Sequence, residues 1–386
     1  MLSFTTYSPT KIIQGKETIS ELANLVPKEG KVLIAYGGGS IKKNGVYDQV
    51  VAALAGHDTV EFAGIEANPI YETLMQTVEL CRKEDVKFIV AVGGGSVVDG
   101  IKFVAAALRQ PEDVDPWGLL TGSLTAESAL PFGTVMTLPA TGSECNPNAV
   151  ISRNSTQEKL VLFTSVTHPV FSILDPETTY TLPYNQLRNG IVDTYVHVLE
   201  QYVTCDQQAP LQDRQAEAIL SVLIDYVEPM LETSPPSFDA RMILMDAATW
   251  ALNTYLERGI IPDWATHLIG HELTALYGPA HAETLAVVWP AVVAYKFDAK
   301  REKLAQYGER VWKLQGTTEE IAKGAIEKTK EFFAKVGMPL NLSDYKINAD
   351  EAAAEISKRF SERGMCVGEN GHIKPDEIAG VLELCR

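Results

Sequence analysis

Two short apolar runs, each ending in three glycines and a serine, restrict this chain more than any other feature. Lys31–Tyr36 (KVLIAY) leads into Gly37–Ser40, and Lys87–Val92 (KFIVAV) leads into Gly93–Ser96. An apolar run of this length, closed by glycine and followed by a helical pattern, reads as a strand entering a tight turn. Gly133–Leu138 and Val170–Leu174 read as further strands, with helical patterns at Glu72–Glu84 and Val97–Leu108 between the runs. Strands alternating with helices predict a mostly parallel sheet with helices on both faces. After Pro183 the strand signals fade. Asn189–Val203, Leu211–Leu231, Asp239–Glu257, Trp264–Leu276, Ala286–Tyr295, Lys300–Trp312, Glu319–Val336 and Ala352–Arg363 carry apolar residues at helical spacing. The expectation is an α/β domain over residues 1–182 and an all-helical domain over 183–386.

Glycine lets a backbone approach a phosphate closely and adopt positive φ. A helix beginning just after the loop adds free N–H groups and a favourable dipole. One such loop is a common tight turn; two copies, each between a strand and a helix, point to a nucleotide. Neither matches G-x-G-x-x-G or the P-loop pattern. In the second loop Ser96 is expected to cap the next helix, with Asp99 answering in a capping box. The first loop lacks the acid that NAD sites place near the adenine ribose, and Lys42 and Lys43 follow it. That pair suits a 2′-phosphate, hence NADP(H).

Four of the seven histidines gather in one stretch of the helical half. Asp193 and His197 are four apart and share a helix face, as do His267 and His271; His281 follows a Gly–Pro turn. One carboxylate with imidazoles and no sulfur suits Fe(II), Zn(II), Mn(II) or Co(II). Spacing alone leaves open which three histidines ligate. His57, His168 and His372 have no such company and read as surface or structural.

The rest of the composition narrows the partners. A net charge of -17 argues against nucleic acid and anionic membrane surfaces. There is no run of about 18 apolar residues and no signal-peptide pattern at the start, so a soluble cytoplasmic protein is expected. Cys81, Cys145, Cys205, Cys366 and Cys385 are scattered and form no C-x-x-C pair, which disfavours disulfides and cysteine-ligated zinc.

The motifs GGGSVVDGIK (93–102), TLPATGSE (137–144), DxxxH (193–197) and HxxxH…H (267–281) resemble those of the iron-containing (group III) alcohol dehydrogenases, over nearly the whole length. YGGGSIKK (36–43), NPIYETL (68–74) and the stretch 263–290 are similar to the NADPH-dependent aldehyde reductase and butanol dehydrogenase branch. The resemblance implies a dehydroquinate-synthase-like fold, with a Rossmann-like cofactor domain ahead of a helical metal domain. It implies one divalent metal, Fe2+ or Zn2+, on Asp193, His197, His267 and His281, with His271 lining the site. It places the pyrophosphate at Gly94, Gly95, Ser96 and Asp99, the nicotinamide half along Thr137, Leu138, Thr141 and Lys159, and the 2′-phosphate end at Gly37, Gly38 and Ser40. TLPATGSE departs from the commoner TTAGTGSE, so Leu138 offers only backbone. The implied activity is hydride transfer between NADP(H) and a small or medium-chain aldehyde or primary alcohol, with His271 relaying the proton, in a homodimer. Trp117, Trp264 and Phe163 are candidate walls of an apolar pocket. The rival readings are an NAD-linked glycerol or polyol dehydrogenase of the same fold, a dehydroquinate-synthase-like lyase, and a non-catalytic nucleotide sensor. The lyase would need Lys and Arg near the metal, and 193–201 and 263–290 contain none.

Overall fold

The computed structural model describes residues 2–204 and 208–386. Cys205 lies outside the described residues. Among them the strands are β1 (Lys11–Gln14), β2 (Lys31–Tyr36), β3 (Thr59–Ala63), β4 (Val86–Gly94), β5 (Phe132–Leu138), β6 (Ala149–Arg153), β7 (Glu158–Leu162) and β8 (Phe171–Leu174). Six form one sheet in the order β1-β8-β5-β4-β2-β3, every neighbouring pair parallel, and β6 and β7 form an antiparallel hairpin. The four strands expected from the apolar runs are β2, β4, β5 and β8. The edge strands β1 and β3 escaped the reading because they are short and partly exposed and carry no apolar run longer than two residues.

The sheet is buried on both faces. One core gathers Leu33, Ile89, Ala91, Ile101, Phe103 and Phe132; the other gathers Val32, Ile34, Phe88, Val90, Val92 and Ile173. A parallel strand buried on both sides must be apolar where it is covered, as β4 is from Phe88 to Val92. The chain runs from β2 outward to β3, then returns to the other side of β2 to form β4. That reversal opens a crevice at the carboxyl ends of β2 and β4, the usual ligand position in an open parallel sheet.

The chain divides into two compact units. One holds the residues through Thr6, Leu187–Glu228 and Thr254–Arg386; the other holds Tyr7–Gln186 and Pro229–Asn253. The linear expectation put 229–253 with the helical residues, whereas the structure groups it with the sheet. Arg241 is fully buried there and donates to Thr179 O at 2.6 Å, Thr249 Oγ1 donates to Glu144 Oε1 at 2.5 Å, and Met245 enters the sheet's core. Helical periodicity says nothing about which core a helix serves. The helical unit has its own core, including Ile269, Leu273, Val288, Ile356 and Phe360. Among the described residues no helix is long and apolar enough to cross a membrane.

Candidate metal centre and cofactor crevice

The helix Tyr184–Tyr202 carries three acid–base side chains on one face: Asp193, His197 and Glu200, at positions i, i+4 and i+7. All three are buried. The helix Ala265–Tyr277 contributes His267 and His271, then ends at Gly278, whose φ of 85° allows the turn into the helix His281–Tyr295. Gly270 lets these two helices approach closely, since a Cβ there would meet Thr284 Oγ1 at 2.7 Å.

The result is a cluster of donor atoms. Asp193 Oδ1 lies 3.6 Å from His197 Nδ1, 3.8 Å from His267 Nε2 and 3.8 Å from His281 Nε2. Donor atoms of Asp193, His197 and His267 all lie within 4.8 Å of one another. A tetrahedral ion with bonds of about 2.0–2.2 Å separates its donors by about 3.3–3.6 Å, so these spacings fit a single transition-metal ion. A buried His267 Nε2 without a hydrogen-bond partner is a second sign of fit. Burial disfavours the charged His267 ring, but the Glu200 and Asp193 carboxylates override it and push its pKa up to about 9. The two carboxylates thus favour positive charge at this position. His271 is buried beside the cluster, its ring 4.9 Å from His281 and 6.3 Å from His267.

Glu200 is a residue that motif reading passed over. Its carboxylate accepts from the His267 Nδ1–H and from the backbone N–H groups of Thr266 and His267. Its signal was an acid seven residues past Asp193, on the same face of one helix. A second group with metal-ligand spacing, Asp263, Glu369 and His372, already surrounds a cation. The fully buried Lys300 ammonium stands 2.5 Å from Asp263 Oδ2 and 2.9 Å from Glu369 Oε2, and donates to Val203 O at 3.0 Å. His372, expected to be isolated, joins this group through Glu369 O at 2.8 Å.

Most of the predicted cofactor residues collect at the carboxyl ends of three adjacent strands: Gly37, Gly38 and Ser40 after β2, Gly94 at the end of β4 with Gly95 and Ser96 just after it, and Thr137, Leu138 and Thr141 at and after β5. A Cβ on Gly38 would meet nothing within 4 Å, so packing does not demand glycine there; open backbone suits an approaching phosphate. Gly95 is different, because a Cβ would strike Thr141 Oγ1 at 2.4 Å. The expected capping box is absent. Gly94 is the N-cap of the helix Gly95–Ala107, and Ser96 Oγ inside the first turn accepts from Asn68 N. Asp99 turns away from the helix start: it accepts from Ser143 Oγ at 2.5 Å and Val150 N at 2.9 Å. Lys159 Nζ donates to Asn68 Oδ1 at 2.8 Å. Lys42 lies over the Tyr47 ring and 3.4 Å from Glu61 Oε2, while Lys43 is exposed. Of the aromatic candidates, Trp264 stands 5.2 Å from the His267 ring, Trp117 is buried in the sheet's core and Phe163 is exposed.

Comparison with known proteins agrees with this geometry. The family model for the iron-containing alcohol dehydrogenases matches residues 9–176, and that for the C-terminal part of the Fe-containing alcohol dehydrogenase family matches residues 189–383. The chain is 49% identical to the NADPH-dependent aldehyde reductase YqhD of Escherichia coli (strain K12), covering 100% of both chains. It is 40% identical to a probable NADH-dependent butanol dehydrogenase of Bacillus subtilis (strain 168), covering 99% of each. Among solved structures, the NADH-dependent butanol dehydrogenase A of Thermotoga maritima superposes with a TM-score of 0.94 at 35% identity, over 100% of this chain and 99% of that one.

Proposed function

This chain belongs to the iron-containing alcohol dehydrogenase family, and from that premise we propose that it is an NADP(H)-dependent alcohol dehydrogenase working mainly as an aldehyde reductase. Its substrates are small or medium-chain aldehydes and the matching primary alcohols. The supporting observation is the convergence of three imidazole nitrogens on Asp193 Oδ1 at 3.6–3.8 Å, in a chain half identical to an NADPH-dependent aldehyde reductase.

Asp193, His197, His267 and His281 are the proposed metal ligands. One carboxylate with three neutral imidazoles leaves a bound divalent ion net positive. Such an ion, Fe2+ or Zn2+, supplies Lewis-acid polarisation of a carbonyl oxygen, and the nicotinamide supplies the hydride. His271, beside the ligands, exchanges the alcohol proton with solvent. Gly94, Gly95 and Ser96 receive the pyrophosphate, with Asp99 acting through the Ser143 and Val150 contacts that order the neighbouring loop. Thr137, Leu138, Thr141 and Lys159 flank the nicotinamide half, and Gly37, Gly38 and Ser40 the 2′-phosphate. Residues 1–182, joined by 229–253, thus serve the cofactor, and the rest of 183–386 the metal. The same proposal includes a homodimer in the cytoplasm; free thiols at Cys81, Cys145, Cys366 and Cys385 support that compartment.

Aldehyde-dependent NADPH oxidation before and after chelation tests the reading. Activity that disappears with chelator and returns with a divalent ion is the expected result. A fully metal-loaded sample inert toward short and medium aldehydes would overturn it. A rate and pH profile untouched by His271→Ala would remove the relay from the mechanism.

A further inference from the structure

We propose that Glu200 is the positioning residue that makes His267 a metal anchor, by ordering its helix start and its ring with one carboxylate. The inference rests on the metal reading above. A histidine can present a lone pair on Nε2 only if the proton is held on Nδ1, and Glu200 accepts from that Nδ1. The same carboxylate accepts from Thr266 N at 2.6 Å and His267 N at 3.2 Å, two of the unsatisfied donors that open the helix Ala265–Tyr277. Backbone and ring are thus located from one point. That point is rigid, because Glu200 O accepts from Asp263 N at 2.8 Å, and the Asp263 carboxylate accepts from Ala265 N at 3.1 Å. Glu200 is also on the helix that carries Asp193 and His197, so a single helix sets three of the four donors: two directly and His267 through Glu200. His267 Nε2, left without a hydrogen-bond partner and 3.8 Å from Asp193 Oδ1, faces the common centre. The negative charge behind the ring also makes it a stronger donor.

Glu200→Gln separates these functions, because an amide keeps the size but offers one acceptor where three donors converge. The measurement is zinc and cobalt affinity of the full-length protein by chelator competition, with the visible spectrum of the cobalt form. Glu200→Gln is expected to bind about 10–100-fold more weakly and to shift the cobalt bands. The effect is expected to vanish in a His267→Ala background, because Glu200 acts through His267. If the weakening persists undiminished in that background, Glu200 is only a helix cap and the proposal is overturned. Wild-type affinity and spectrum in Glu200→Gln also overturn it. Should Glu200→Gln not fold, Glu200→Asp serves: it keeps the charge but retracts the carboxylate by about one bond length, and unchanged affinity there counts equally against the proposal. If instead wild type binds neither ion, and Asp193→Ala changes nothing, the metal reading itself has failed.

Discussion

Each unit buries one lysine completely, and the two are treated oppositely. In the sheet-bearing unit Lys102 Nζ donates to Ser143 Oγ at 2.7 Å, Asn146 Oδ1 at 3.1 Å and Asn148 O at 2.7 Å, all neutral acceptors. Burial dominates and its pKa falls to about 8, despite the opposing pull of Asp99. In the helical unit Lys300 meets two carboxylates, Asp263 and Glu369. Burial works against its charge there too, but the two anions win and its pKa rises. Both lysines pin a segment that the function needs: the 143–148 loop near the proposed cofactor residues, and the turn that starts the His267 helix. The lesson is that a buried ammonium is tolerated in two ways, by three neutral acceptors with one carboxylate nearby or by two carboxylates in direct contact, and only the second leaves two directly paired charges behind when the lysine is removed.

The sharpest way to break this comparison is to delete each cation. Lys300→Met strands two buried carboxylates and is expected to cost about 3–5 kcal/mol in urea denaturation. Lys102→Met strands neutral acceptors beside one carboxylate and is expected to cost about 1–3 kcal/mol; a larger loss from Lys102→Met than from Lys300→Met would reverse the ranking.

The pH dependence should differ in sign. The folded pKa of Lys102 lies below its unfolded value of 10.5, so the folded state binds fewer protons between about 8 and 10.5. Its contribution to stability therefore grows as pH rises through that window, by up to about 3 kcal/mol. Lys300 has a folded value above 10.5, so its contribution is complete below 10.5 and is lost as pH rises through the folded value. Wild-type minus Met-variant stability curves from pH 7 to 11 display both slopes; parallel curves would void the contrast.

A divalent ion at 100 times its Kd is expected to raise stability by about 2.7 kcal/mol, and Asp193→Asn to abolish most of that gain, as followed by thermal unfolding with and without chelator. Equal stabilisation of both proteins would place the ion elsewhere. The smallest effect is a rescue: adding Glu369→Gln to Lys300→Met removes one stranded anion and should restore about 1–2 kcal/mol. No recovery would mean that Lys300 acts through Asp263 and Val203 alone.

Much of this was legible from residue order. Val32–Tyr36 in β2 and Phe88–Val92 in β4 are continuous apolar runs because a parallel strand covered on both faces has no wet side there, and their glycine endings mark the crevice. Asp193 and His197 share a face because helical spacing requires it. β1 and β3 were missed because these short, partly exposed edge strands lack that signal, and the Ser96–Asp99 capping box failed because Asp99 found partners 44 and 51 residues away. Glu200 and Lys300 were invisible as functional groups for the same reason.

Residue order therefore settles what has a period: the strand runs, the glycine turns, the paired acid and histidine on one helix, and the family motifs those carry. It does not settle which distant groups meet. That His281 reaches Asp193, that Glu200 backs His267, that Lys300 binds Asp263 and Glu369, and that 229–253 packs with the sheet all follow from long-range packing, where burial forces each charge to find a partner and only the fold determines which one is near.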